Sequence, residues 1–134
     1  MEQISFGELV ERLKELDMHS VAITDHGNMF GVIELYKKCK ERGIKLIVGC
    51  EVYVSTRSRF EKDGKVDSEP NHLILLCENM EGYKNLCKLV SLSYTEGFYY
   101  KPRVDKEILR KYSKGLICLS ACLSRRNCKK DSFR

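Results

Sequence analysis

A short apolar run that ends in an acid, a histidine and a glycine constrains the fold of this chain most. Residues 20–24 are rich in β-branched side chains and predict a strand, and residues 31–42 have the apolar spacing of an amphipathic helix. Asp25, His26 and Gly27 lie between them, so two metal-binding side chains stand in a β-to-α turn. α/β proteins usually carry their chemistry in such turns. The feature therefore predicts an α/β fold with a site where this strand ends.

The rest of the chain continues the alternation of helices and strands. Further helices are predicted at residues 5–17, 80–96 and 106–112, and further strands at 44–54, 72–77 and 116–119. Residues 55–71 are polar and punctuated by glycine and proline, which predicts a long surface loop. This order favours an α/β sheet or part of a (β/α) barrel. A length of 134 residues allows one domain or part of one.

Local signals predict where several helices begin and end. Ser5 and Glu8 have the spacing of a capping box, and Asn79 and Asp105 are predicted N-caps. Gly43 is a predicted C′ residue, since glycine adopts the left-handed conformation that ends many helices.

Composition excludes some classes of protein. Twenty-four Lys and Arg against 19 Asp and Glu give a net charge of +5, which tolerates an anionic partner without identifying one. The seven cysteines form no Cys-x-x-Cys pair, which argues against a secreted disulfide framework and for a cytoplasmic protein. No apolar stretch approaches the roughly 18 residues that a membrane span needs. We therefore expect a soluble protein with no membrane partner.

Several side chains from different segments could together bind a metal ion. They are Asp25, His26, Glu51, His72 and Cys122. Imidazole, carboxylate and thiolate ligands suit zinc or another first-row divalent ion, which could activate a bound water. No spacing rule links these positions, because each lies at the edge of a different predicted element.

Each candidate ligand also has a structural interpretation. Asp25 could cap the turn, and His26 could be a hydrogen-bonded loop histidine. Glu51 lies in an apolar run, where an unpaired carboxylate is costly. His72 begins its strand, the wrong end for a parallel barrel site, unless strands 44–54 and 72–77 form a hairpin. Cys122 could simply be a small core residue.

Two basic segments also admit two interpretations. Residues 98–103 combine aromatic and basic side chains, which suits either a nucleic-acid surface or a solvated loop with its aromatics tucked into the core. The Arg and Lys residues of segment 57–65 are most simply explained as a solvated loop.

Several longer motifs resemble one known family. They are Ala22-Ile-Thr-Asp-His-Gly-Asn-Met-Phe-Gly31, Val48-Gly-Cys-Glu-Val-Tyr-Val54, His72-Leu-Ile-Leu-Leu76, Gly82-Tyr-Lys-Asn-Leu86, Gly97-Phe-Tyr-Tyr-Lys-Pro-Arg-Val-Asp105 and Leu119-Ser-Ala-Cys-Leu123. Residues 1–123 closely resemble part of the PHP (polymerase and histidinol phosphatase) domain of bacterial DNA polymerase III alpha subunits. The Thr-Asp-His-Gly element is shared with phosphoesterases of the wider superfamily, whereas the block at 97–105 is particular to the polymerase branch.

The resemblance implies a fold and a metal site. The fold would be part of a distorted (β/α)7, TIM-like barrel of the PHP type. His26, Glu51, His72 and Cys122 match family metal ligands for zinc or manganese, and Asp25 matches the acidic residue beside the first of them. Asp25 and His26 are the candidate catalytic residues.

The resemblance also implies a function. Full-length family members are DNA-directed DNA polymerases, nucleotidyltransferases that use magnesium, DNA and deoxynucleoside triphosphates. In them the PHP region is a metal-dependent phosphoesterase of the 3′-to-5′ exonuclease type, or a scaffold that docks the proofreading exonuclease subunit and other replisome components. The rival interpretations are a stand-alone phosphoesterase of the same superfamily and a non-catalytic binding module.

The chain departs from the family pattern at both ends. The family's opening His-x-His strand and closing Asp-x-His pair are not found, so we expect a truncated fragment with weak or no activity of its own. Residues 124–134 are basic and resemble nothing in the family. Removing one base from a permissible coding of this tail restores a family-like sequence, which predicts a frameshift. Polymerase-like sequence in another frame of the downstream DNA would support that prediction, and its absence would contradict it.

Overall fold

A computed structural model describes residues 5–121, which form a mixed sheet with helices. Cys122 and the 124–134 tail lie outside the described residues. The helices are α1 (Phe6–Glu15), α2 (Val32–Glu41), α3 (Met80–Thr95) and α4 (Lys106–Lys111). The strands are β1 (Ser20–Ile23), β2 (Lys45–Val54), β3 (Asn71–Cys77), β4 (Arg103–Val104) and β5 (Leu116–Ser120). The predicted α/β class is therefore confirmed.

The predicted helix ends agree with the structure. Ser5 accepts a hydrogen bond from the backbone of Glu8, whose side chain accepts one from Ser5 in return. Asn79 and Asp105 cap α3 and α4 through their side chains. Gly43 has φ +69°, as a C′ glycine requires. These helix ends depend on residues a few positions apart, so they can be predicted from the sequence alone.

Strand β2 organises the sheet. It pairs in parallel with β1 and in antiparallel fashion with β3, which in turn pairs with β5. Strand β4, which the sequence analysis placed in a loop, pairs in parallel with the last two residues of β2. The sequence analysis missed β4 because a strand of two residues shows no periodicity, and because its pairing depends on a partner about 50 positions away.

The core lies between one face of the sheet and the helices. Its first cluster contains Val10, Leu13, Ile23, Val32, Leu35, Cys39 and Ile44. Its second contains Cys50, Val52, Leu75, Leu86, Leu89, Val104 and Ile108. Because strand residues alternate between faces, Glu51, Tyr53 and His72 project from the opposite face of the sheet. Within residues 5–121, no helix is long and apolar enough to cross a membrane.

Candidate metal and catalytic centre

In the turn after β1 the chain still runs parallel to β2, which places His26 beside Glu51. The backbone N–H of Glu51 donates to the carbonyl of Asp25 at 2.9 Å, and that of Gly27 donates to the carbonyl of Glu51 at 2.8 Å. His26 and Glu51 therefore form a parallel bridge. Gly27 has φ +68°, and a Cβ there would lie 3.0 Å from the Tyr53 ring. The glycine is required by both the backbone conformation and the close approach of Tyr53.

Glu51 is the centre of the site, with one histidine at each carboxylate oxygen. Its Oε1 lies 2.5 Å from Nδ1 of His72, and its Oε2 lies 3.2 Å from Nδ1 of His26. The Glu51 side chain is 13% exposed, whereas that of His26 is 67% exposed. A nearly buried carboxylate is thus satisfied by two imidazoles on a surface that a ligand can reach.

The β2–β3 hairpin brings His72 to Glu51. The two strands are antiparallel, and His72 pairs with Tyr53 across them. The Tyr53 and His72 rings meet edge to face, with centroids 5.0 Å apart. The sequence analysis argued against His72 because it begins its strand, which is the wrong end for a parallel barrel site. In the observed hairpin that argument does not apply, because an antiparallel strand starts at the end where its neighbour finishes.

The turn itself is held by a residue that the sequence analysis did not single out. Asn28 accepts a hydrogen bond from the backbone N–H of Phe30 at 3.1 Å and donates one to the carbonyl of His26 at 3.0 Å. This is an Asx turn, and an asparagine two residues before the bonded N–H is its sequence signal. The carbonyl of Asp25 accepts from Glu51 and from the Cys50 thiol at 3.4 Å.

Burial distinguishes Cys50 from a reactive thiol. Cys50 lies in the core directly before Glu51, and burial raises its pKa to about 11. Burial also raises the pKa of Tyr53, with a further contribution from the negative charge of Glu51. Both groups therefore stay neutral at pH 7 and shape the centre by packing.

The side chains around Glu51 are of types that bind a divalent ion, although their geometry is not that of a complete coordination shell. Two imidazoles and a carboxylate are donors that zinc and manganese accept. Among residues 5–121, no three His, Cys, Asp or Glu side chains are arranged to hold an ion, because both histidines face Glu51 instead of a common point. Cys122, the fourth predicted ligand, lies outside the described residues. The ligand roles remain predictions.

A second charged cluster lies beyond the end of β2 and corrects the prediction of a solvated 57–65 loop for Arg59, whereas Arg57, Lys62 and Lys65 are exposed as predicted. The buried guanidinium of Arg59 contacts Glu96 at 2.6 Å, Asp105 at 3.0 Å and Glu107 at 3.1 Å. Arg57 pairs with the buried Asp67 at 2.6 Å. Four carboxylates from outside 57–65 thus hold its two arginines in place.

Arg103 departs from both interpretations of segment 98–103, because it lies neither on a nucleic-acid surface nor in a solvated loop. Its side chain is fully buried, and its guanidinium donates to four backbone carbonyls. The acceptors are Gly97 at 3.0 Å, Asp67 at 3.2 Å, Arg59 at 3.0 Å and Glu61 at 2.9 Å. Arg103 thus joins the long loop to the 97–103 segment, whereas Phe98 and Tyr100 remain exposed. We call Arg57, Arg59, Asp67, Arg103 and Asp105 the arginine network.

The sequence matches one known domain family. The sequence model of the PHP domain family matches residues 2–125, so this chain belongs to the PHP domain family.

Two curated relatives of this chain share one name. The chain is 56% identical over 121 residues to DNA polymerase III subunit alpha of Chlamydia muridarum, which covers 90% of this chain and 10% of the relative. It is 51% identical over 117 residues to that of Borreliella burgdorferi, covering 87% and 10%. The chain therefore spans about a tenth of the length of these relatives.

Solved structures show weaker likeness. A candidate metal-dependent phosphoesterase from Bifidobacterium adolescentis is 20% identical, with a TM-score of 0.45 over 68% of this chain and 28% of the other. An amidohydrolase from Chromobacterium violaceum is 23% identical, with a TM-score of 0.46 over the same shares.

Proposed function

We propose that this chain is the PHP region of a replicative DNA polymerase III alpha subunit. The support is identity of about one half to such subunits over nearly the whole chain. The block at 97–105, which resembles the polymerase branch of the family, is further support. In this proposal the mixed sheet is part of a distorted (β/α)7 barrel. DNA synthesis from deoxynucleoside triphosphates with magnesium, and the replisome partners, belong to the whole polymerase. Residues 1–123 form the PHP part, and 124–134 stand apart from it.

We further propose that Glu51, His26 and His72 form a centre for zinc or manganese, together with Cys122. The single observation that carries this is that each carboxylate oxygen of Glu51 meets one histidine Nδ1. When bound, a divalent ion supplies Lewis-acid chemistry and an activated water for phosphoester hydrolysis.

Glu51 orients both imidazoles for that role. A neutral imidazole that donates its Nδ1–H to a carboxylate keeps the lone pair of Nε2 for a ligand. The carboxylate also makes Nε2 of each ring a stronger electron-pair donor to a metal ion, because it stabilises positive charge on the imidazole. Asp25, one residue before His26, is the proposed acidic partner that orients or bridges ligands.

Titration of the protein with zinc and with manganese tests the centre. We expect binding to weaken at least about tenfold in His26→Ala and in His72→Ala. The control is His19→Ala, because His19 is exposed and lies near Asp17 instead of Glu51. Equal affinity in all three variants would refute the centre. We expect weak or no hydrolysis of a nucleotide phosphoester by this chain alone; robust hydrolysis that His26→Ala abolishes would refute this expectation.

The second candidate function is a docking scaffold for the proofreading exonuclease subunit. It is favoured by the finding that, within residues 5–121, no three His, Cys, Asp or Glu side chains are grouped so that they could hold a metal ion. Metal content and pull-down of the exonuclease subunit discriminate the two. A protein without metal that retains the subunit is a scaffold, whereas one that binds metal and not the subunit has the proposed centre.

A further inference from the structure

Tyr53 lies where three strands meet beside the Glu51 centre. It is directly opposite His72 in β3 and opposite Arg103 in β4. Because side chains two positions apart on a strand share a face, its ring lies on the same face as Glu51. Tyr53 is only 8% exposed, yet it belongs to neither of the two core clusters. Its buried ring therefore lies between the proposed metal centre and the 97–103 segment.

The contact between Tyr53 and His72 has a defined geometry. The two rings meet edge to face, with an interplanar angle of 87° and centroids 5.0 Å apart. Nδ1 of His72 lies 2.5 Å from Oε1 of Glu51. One hydrogen bond fixes a single point of an imidazole and leaves the plane of the ring undetermined. An edge-to-face neighbour removes this freedom, so Tyr53 determines the ring plane and the direction of Nε2.

The two histidines of the centre differ in this support. The side chain of His72 is 28% exposed, whereas that of His26 is 67% exposed. Within residues 5–121, the His26 ring has its contact with Glu51 but no aromatic neighbour. An effect of Tyr53 on the centre should therefore act through His72 and not through His26.

Two neighbours hold the Tyr53 ring in place. Nζ of Lys101 lies 4.5 Å from the ring centroid, which is within the range of a cation–π contact. A Cβ at Gly27 would lie 3.0 Å from Cε2 of Tyr53 and 3.0 Å from Cγ of Pro102. The turn that contains His26 thus approaches the ring closely. Lys101 and Pro102 thereby bring the 97–103 segment to both the ring and the turn.

We propose that Tyr53 is a positioning residue of the metal centre, which fixes the ring plane and the tautomer of His72, and that Lys101 holds Tyr53 in that position. The tautomer with its proton on Nδ1 donates to Glu51 and keeps Nε2 for a metal ion. This inference rests on the proposed metal centre and adds to it a residue that acts through a ligand.

Long-range ¹H–¹⁵N correlation spectra of the metal-free full chain test the proposal, because they show which ring nitrogen of each histidine has the proton. The chain has three histidines, so His19→Ala and His26→Ala assign the signals. At pH 8 we expect the proton of His72 to be on Nδ1. In Tyr53→Leu the nitrogens of His72 should average between the two tautomers, whereas Tyr53→Phe keeps the ring and should retain the parental pattern.

A matched control and a surface variant separate positioning from folding. Tyr112→Leu removes a half-buried tyrosine that packs against the second core cluster, with Nζ of Lys111 5.5 Å from its ring. It should leave the His72 signals unchanged. Lys101→Met replaces an exposed residue, so it tests the proposal even if Tyr53→Leu does not fold. It should give a smaller change in the same direction, and Lys101→Arg, which keeps the charge, should restore the parental pattern.

Titration with zinc alone shows whether Tyr53 acts through His72. Tyr53→Leu should weaken zinc binding about tenfold, as the loss of a residue that orients a metal ligand typically does. Added to His72→Ala, the same substitution should cost less than about twofold, because the ligand that it orients is already gone. Added to His26→Ala, it should still cost about tenfold.

Two outcomes would overturn the inference. If His72 keeps a single tautomer with its proton on Nδ1 in both Tyr53→Leu and Lys101→Met, Tyr53 only packs. If Tyr53→Leu costs as much zinc affinity without His72 as with it, Tyr53 does not act through that ligand. The tautomer is measured without metal, so failure of the metal centre is distinguishable: parental zinc affinity in His72→Ala would refute the centre and leave the tautomer result standing.

Discussion

The centre around Glu51 and the arginine network are both charged clusters on β2 and its continuation, yet they differ in what their charges face. Glu51 meets two imidazoles, and the His26 ring is mostly exposed. Asp105 meets Arg59, and both are buried. In the network every charged group is satisfied by a protein partner. In the Glu51 centre, each histidine has a second nitrogen that Glu51 does not occupy.

This difference teaches that a buried carboxylate alone does not identify a functional site. Glu51 lies in an apolar stretch of sequence and Asp105 caps a helix, and each is paired in the structure. What distinguishes them is the partner: guanidinium is always charged and gives rigid multiple hydrogen bonds, whereas imidazole can also bind metal and exchange protons. We expect the network to determine stability and the Glu51 centre to determine binding.

Removal of Arg103 should have the largest effect on stability. Arg103→Ala leaves four carbonyls without their donor, so we expect the free energy of unfolding to fall by about 3–5 kcal/mol. Urea denaturation followed by circular dichroism measures this. The control is Arg110→Ala, an exposed arginine on α4 that should change stability by less than about 0.5 kcal/mol. Similar losses in both variants would remove the distinction between the buried network and the surface.

Replacement of Asp105 should make the network's pH dependence visible. Burial raises the pKa of Asp105, but hydrogen bonds from the backbone of Arg59 and Ile108 and from the Arg59 guanidinium outweigh it, so the pKa lies below its usual value of 3.8. Because the unfolded chain binds this proton more tightly, the stabilisation is complete above about pH 4 and is lost as pH falls further. Asp105→Asn should cost about 1–3 kcal/mol at pH 7.

Urea midpoints between pH 3 and pH 7 check the sign of this effect. The difference between parent and Asp105→Asn should shrink as the pH falls below about 4. A constant difference across that range would show that Asp105 acts through packing and not through its charge.

Substitution of Gly27 tests how closely the turn is packed at the Glu51 centre. Gly27→Ala meets both a left-handed backbone and the rings of Tyr53 and Pro102, so we expect a loss of about 2–3 kcal/mol. Gly43 has nearly the same φ, but a Cβ there meets nothing within 4 Å. Gly43→Ala should therefore cost only about 1 kcal/mol by the same urea assay. Equal losses would mean that the contact with Tyr53 contributes nothing.

Replacement of Glu51 should have the smallest effect on stability and a large one on binding. Gln preserves the size of the side chain and one acceptor for the histidines, so we expect Glu51→Gln to change the free energy of unfolding by less than about 1 kcal/mol. Its affinity for zinc or manganese, measured by calorimetry, should fall at least about tenfold. A stability loss as large as that of Asp105→Asn, with unchanged metal affinity, would assign Glu51 to the scaffold.

Much of the candidate site was predictable, but not the network. The motif at Asp25 and His26 marks the turn, and the structure brings His26 to Glu51. His72 was predictable only on the condition of a hairpin, which the structure meets. The arginines of 57–65 look like surface charges in sequence, because nothing local shows that the four carboxylates outside this segment that hold them lie 10 to 48 residues away.

The sequence by itself determined the elements whose causes are local. Ser5 with Glu8, Asn79 and Gly43 begin or end helices through contacts within a few residues, and apolar periodicity places the strands. Only the tertiary structure decided which charges meet, because strand register and loop path bring together residues far apart in the chain. It thereby placed His72 at Glu51 and buried Arg103, since a guanidinium enters a core only where carbonyls or carboxylates already converge.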